Sequence, residues 1–170
     1  MRLWRFINIY SIDVALGAVA GCAFFAAIFD VSLLLHAYLS LGLIVWIIYT
    51  VDHLVDARNS TGEPSTERHR FHKRHSRLLT LSVIVAGVVV AFEAFYVRKP
   101  VLFAGIGLTV LVMGYLMLQA TLMFAKELAG AMLYTAGILA GPWSILDRPL
   151  AQPEMGLIVL FGMTAFINLL

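Results

Sequence analysis

Long apolar runs separated by brief polar breaks make up most of this chain. A membrane-spanning helix needs about 20 apolar residues, and six runs approach that length. They predict helices at about 7–29, 31–56, 78–97, 101–125, 128–146 and 155–170. The breaks at Asp30, Arg98-Lys99-Pro100, Lys126-Glu127 and 147–154 are short, so successive helices should be antiparallel neighbours. Only the polar stretch 57–77 is long enough to do more than connect. The sixth run is still apolar at Leu170, and the chain is expected to be incomplete at its carboxyl end. The pattern predicts an all-α integral membrane protein with six transmembrane helices in a single membrane domain, 1–170.

Composition sharpens that reading. The chain is 61% hydrophobic and 13% charged, with a mean hydropathy of +0.91. A soluble domain of this size could not hide so much apolar surface, so membrane lipids are the first partner expected. Cys22 lies inside an apolar run and reads as a packing residue, which excludes a disulfide framework. A net charge of +2 argues against a nucleic-acid partner. Trp4, Arg5 and Asp13 interrupt the amino terminus, so no cleavable signal peptide is predicted there. With the amino terminus inside, inner segments hold nine Lys and Arg residues (Arg2, Arg5, Arg58, Arg68, Arg70, Lys73, Arg74, Arg77, Lys126). Outer segments hold three (Arg98, Lys99, Arg148). That imbalance places the amino terminus and the basic loop in the cytoplasm, with a bacterial inner (plasma) membrane as the expected location.

Chemistry concentrates at the end of the second run. Asp52 and Asp56 are four residues apart and share one face if the helix continues through them. Two carboxylates held that close repel unless water screens them or a cation joins them. Mg²⁺ suits such a pair, because it takes carboxylate oxygens and completes its shell with water and phosphates. The alternative is a solvated helix end. Arg58, Arg68 and Arg70 follow in the basic loop, and Lys126 stands at the next turn on the same side. Arginine forks match phosphate oxygens, although an inner loop is basic for topological reasons too, and anionic headgroups could be its partners.

This helix, acidic pair and basic loop resemble the UbiA-type intramembrane aromatic prenyltransferases. In that family the second helix ends in NxxxDxxxD. Asp52 and Asp56 fall on its two aspartates, while Ile48 occupies the place of its leading asparagine. The run Lys126 to Gly137, KEL…YTAG, is similar to the family's fifth helix, and Lys126 sits where a basic residue is common. The resemblance implies that the six runs are the first six of a nine-helix bundle around a central cavity. It also implies a second aspartate motif after the sixth span, absent from this sequence. The implied activity is Mg²⁺-dependent transfer of a prenyl group from a polyprenyl diphosphate to an aromatic or other lipophilic acceptor. Asp52 and Asp56 would hold the metal and catalyse, and Arg58, Arg68, Arg70 and Lys126 would hold the diphosphate. A non-catalytic membrane subunit or lipid-binding scaffold, working with a protein partner, is the alternative. A CDP-alcohol phosphotransferase is suggested by Asp56-Ala57-Arg58, but the DG pair that family needs before its AR dipeptide is missing.

The remaining motifs weigh less. His69, His72 and His75 form HxxHxxH, whose three-residue spacing drifts around a helix; a solvated or phosphate-facing loop is expected rather than a metal site. His36 is the one histidine inside a run and has no evident mate in the sequence. Asp13 and Glu93 lie near run ends and are read as hydrated, although acids inside a membrane are functional candidates by default. Trp4, Trp46, Trp143, Tyr10, Tyr49 and Tyr96 read as interfacial anchors and packing residues. Gly17/Gly21 and Gly137/Gly141 have the spacing that lets helices approach closely. Gly141-Pro142 should kink the fifth helix or end it.

Overall fold

The computed structural model describes residues 7, 10–59, 74–118 and 126–169; for 56–59 and 169 the backbone alone is described. Among them six helices occupy the six predicted positions: α1 Ile12–Ile28, α2 Leu35–Asn59, α3 Ser76–Glu93, α4 Lys99–Leu118, α5 Lys126–Ser144 and α6 Gln152–Leu169. Three contain stretches long and apolar enough to cross a membrane, namely Leu35–Val55 of α2, α3 and α4. α1 is apolar but shorter. The bundle is therefore all-helical and compatible with a membrane.

α1 is the centre of the packing. Ala15, Ala18, Cys22, Phe25 and Phe29 recur at spacings of three and four, so they share one face, and all five are buried. That face meets Val45 of α2 and Ile138 and Leu139 of α5. Where helices come together in lipid, shape rather than hydrophobicity holds them, so small residues mark the closest approaches. A methyl group added to Gly21 would lie 3.2 Å from Ile138 and from Phe161. One added to Gly42 would lie 3.1 Å from Val19, and one added to Gly17 would lie 3.2 Å from the Tyr134 hydroxyl. Phe25 is fully enclosed and meets Phe161 edge-on, ring centroids 5.5 Å apart. α3 packs on the far side of α2, while α4 and α6 pack on α5. Although joined by five residues, α3 and α4 thus lie on different partners.

Several boundaries depart from the hydrophobic pattern. The second run was expected to be helical from 31, yet 31–34 are not helical and α2 starts at Leu35. Asp30 adopts φ 54, a left-handed turn that stops α1, and the non-helical piece lays Leu33 against Gly141 of α5. Packing between distant elements overrides local propensity there. At the other end α2 runs on to Asn59 and α3 begins at Ser76, so the expected loop 57–77 is shorter at both ends. Pro142 does not stop α5 at once. The helix passes through it and ends two residues later, so the missing N–H and the ring clash fall in the last turn.

The turn before α6 is built around Glu154. Its carboxylate accepts the backbone N–H of Ala151 at 2.6 Å, closing the first turn as half of a capping box. Both Arg148 nitrogens donate to the same carboxylate, at 2.9 and 2.5 Å. The Arg148 fork, the Ala151 N–H and the Arg148 charge hold the Glu154 carboxyl down at about 2. A carboxyl depressed on folding contributes stability above its unfolded value, lost as pH falls through the folded one. Glu154→Gln should therefore melt below the wild type at pH 7, and the gap should close between about pH 4.5 and 2. Melting curves of both proteins in one detergent check this.

Candidate functional site

The helix ends gather into two polar regions, one at each end of the bundle. The first lies where α1 and α5 begin and α2 and α4 end. α2 remains helical through Tyr49, Asp52 and Asp56, so the two aspartates stand one turn apart on one face, as the spacing predicts. Asp52 lies within electrostatic range of Tyr49 on its own helix and of Tyr115 on α4. Tyr49 is also in range of Asp13 on α1, and Tyr134 on α5 is in range of both Tyr49 and Asp13. One carboxylate oxygen of Asp13 is closed off from solvent. Four helices thus place carboxylates and phenols within electrostatic range of one another.

Hydrogen bonds fix this arrangement. The Tyr134 hydroxyl donates to the Val14 carbonyl at 3.3 Å, tying α5 to α1 beside Asp13. Trp46 donates from Nε1 to the Tyr10 carbonyl at 2.9 Å, tying α2 to the approach to α1. The Tyr115 hydroxyl donates to the carbonyl of Lys126 at 3.1 Å, bringing the first residue of α5 to the same group. Lys126 Nζ lies 3.6 Å from Glu127 Oε1 on an exposed rim. Tyr49 and His53 meet edge-on, ring centroids 6.4 Å apart.

Of the residues the sequence singled out, Asp52 and Lys126 are brought to one end of the bundle, where Tyr115 bonds the Lys126 carbonyl and lies in electrostatic range of Asp52. Asp56 and Arg58 follow on the same helix, with their side chains outside the described residues. Arg68, Arg70, His69 and His72 also lie outside the described residues. Among the described residues no group of three His, Cys, Asp or Glu side chains is placed to hold a metal ion. Asp52 and Asp56, one turn apart on α2, are of the residue type that Mg²⁺ takes, the rest of its shell coming from water and phosphate. Asp13 and Tyr49 were expected to be a hydrated rim residue and a packing anchor. Both instead face the polar group, and Tyr115 and Tyr134 join them with no sequence signal.

The second region lies at the opposite end. His36 Nδ1, at the start of α2, is 2.5 Å from Glu93 Oε2, at the end of α3. The imidazole also stacks on Tyr96 with centroids 4.9 Å apart. Glu93 was read as hydrated and His36 as without a mate. The structure makes them a pair that clamps α2 to α3, with the Glu93 side chain only 14% exposed. A groove of about 780 Å³ runs between α4, α5 and α6, lined by Ala104, Met132, Trp143, Val159 and Phe166 among others. Among the described residues no lining side chain is ionisable, and the Thr135 and Ser144 hydroxyls are spent on carbonyls of their own helix. An apolar groove of this kind can take a hydrocarbon chain.

No protein family, curated protein or solved structure matches the chain.

Proposed function

We propose that this is an integral membrane protein of UbiA-like type that binds a polyprenyl diphosphate with Mg²⁺ and transfers the prenyl group to a lipophilic acceptor. The observation that carries the reading is the unbroken α2 helix, with Asp52 and Asp56 on one face and Lys126 at the same end of the bundle, its carbonyl bonded by Tyr115. Three helices fit to cross a bilayer support the membrane setting. The excess of Lys and Arg at this end supports a cytoplasmic site. All six helices are proposed to span.

In this reading Asp52 and Asp56 hold the cation, which neutralises diphosphate charge when bound. Lys126 contacts the diphosphate, as do Arg58, Arg68 and Arg70 from the basic loop. The allylic C–O bond breaks with its electron pair leaving on the diphosphate, and the acceptor bonds to the carbon so exposed and gives up the proton it replaces to water or to the departing diphosphate. Tyr49 and Tyr134 present aromatic faces where positive charge develops, and the packed helices around them exclude water. Ile48, at the position of the family's asparagine, favours a second reading, a lipid-binding subunit that keeps the fold without turnover.

The test is thermal. In nanodiscs, Mg²⁺ with geranylgeranyl diphosphate should raise the melting temperature, and either component alone should not. Binding without pyrophosphate release would favour the second reading.

A further inference from the structure

We infer that Tyr115 is a positioning residue that sets where Lys126 meets the diphosphate. This rests on the prenyltransferase reading and deepens it. Tyr115 lies one turn before the end of α4, and its hydroxyl donates to the carbonyl of Lys126 at 3.1 Å, across eleven residues of chain. That bond closes the α4–α5 hairpin at the first residue of α5. The opening turn of a helix is its least secured part, because its N–H groups have no partner within the helix. An outside anchor at Lys126 therefore governs how widely its ammonium wanders.

Tyr115 also lies in electrostatic range of Asp52 on α2 and of Glu127 on α5. Its hydroxyl, bonded to the Lys126 carbonyl, thus stands between the two halves of the proposed site, while α4 otherwise packs on α5. Lys126 rests near Glu127 without ligand, 3.6 Å away on an exposed rim. Exposed pairs of that kind are weak, so an arriving diphosphate displaces Glu127 readily, provided the backbone of Lys126 is held in place. The hydroxyl acts through Lys126, not on the reacting atoms.

The bond is exposed to water, which replaces it when the hydroxyl is removed, and the ring remains to pack. Tyr115→Phe therefore keeps the fold, and its melting temperature without ligand should equal the wild type's. A double-mutant cycle reads the role, using Mg²⁺-dependent binding of geranylgeranyl diphosphate to full-length protein in nanodiscs. Tyr115→Phe should weaken binding about fivefold, and should add nothing in a Lys126→Met background. Unchanged binding in Tyr115→Phe overturns the inference, as does an effect that persists undiminished with Lys126 already gone. Absence of binding in the wild type overturns the prenyltransferase reading itself, and the positioning role with it.

Discussion

Asp52→Asn should reduce Mg²⁺-dependent pyrophosphate release from geranylgeranyl diphosphate by about two to three orders of magnitude. That corresponds to losing roughly 3–4 kcal/mol of charge stabilisation at about 1.4 kcal/mol per tenfold. Asparagine keeps the size of the side chain and one oxygen but removes the negative charge a hard cation requires. The fold should survive, because Asp52 lies near the end of α2 and the core centres on α1. Asp30→Asn is the control. Asp30 sits at the opposite end with φ 54, a conformation asparagine tolerates well, so its rate should match the wild type. Pyrophosphate release measures this without knowledge of the acceptor. Equal rates in Asp52→Asn and the wild type would remove Asp52 from the chemistry.

Phe25→Ala should destabilise the bundle by about 2–4 kcal/mol, at or just below the range for Phe→Ala in soluble cores. Phe25 is 0% exposed and packs on Phe29 of its own helix and Phe161 of α6. In a bilayer the lost term is packing rather than burial from water, since lipid tails are as apolar as the core. The void would fall at the junction of α1, α5 and α6, where Gly21 already brings the backbones together. Phe103→Ala removes an equal ring from α4, but Phe103 is 68% exposed and should change stability by no more than about 0.5 kcal/mol. Equilibrium unfolding in mixed micelles separates the two. Equal losses would mean that α1 is not the packing centre.

The helices were legible because length and apolarity alone define them, and each described helix overlaps its run, although α1 begins at Ile12 rather than 7 and the end of the fourth run, 119–125, lies outside the described residues. What faces inward was not legible. Helices apolar on every side carry no amphipathic stripe, so nothing in the sequence distinguishes Tyr134, turned to α1, from Tyr96, stacked on His36. Asp52 and Lys126 stood out as charges at helix ends. Tyr115 and Asp13 did not, since their meaning depends on α4 and α1 converging on α2 and α5. The His36–Glu93 pair joins residues 57 apart, and its partners are visible only when α2 and α3 are laid side by side. The non-helical stretch 31–34 was hidden for the same reason, because Leu33 answers to Gly141 rather than to its neighbours in sequence.

The central claim is that the Asp52 end of the bundle binds a metal-bound diphosphate. The most direct measurement is the melting temperature of the wild type and of Asp52→Ala in nanodiscs, with Mg²⁺ and geranylgeranyl diphosphate together and apart. At ligand about 100-fold above its dissociation constant, the wild type should rise by about 5 °C or more. Asp52→Ala should melt at one temperature under every condition. A wild type that does not respond, or an Asp52→Ala that responds equally, would contradict the claim.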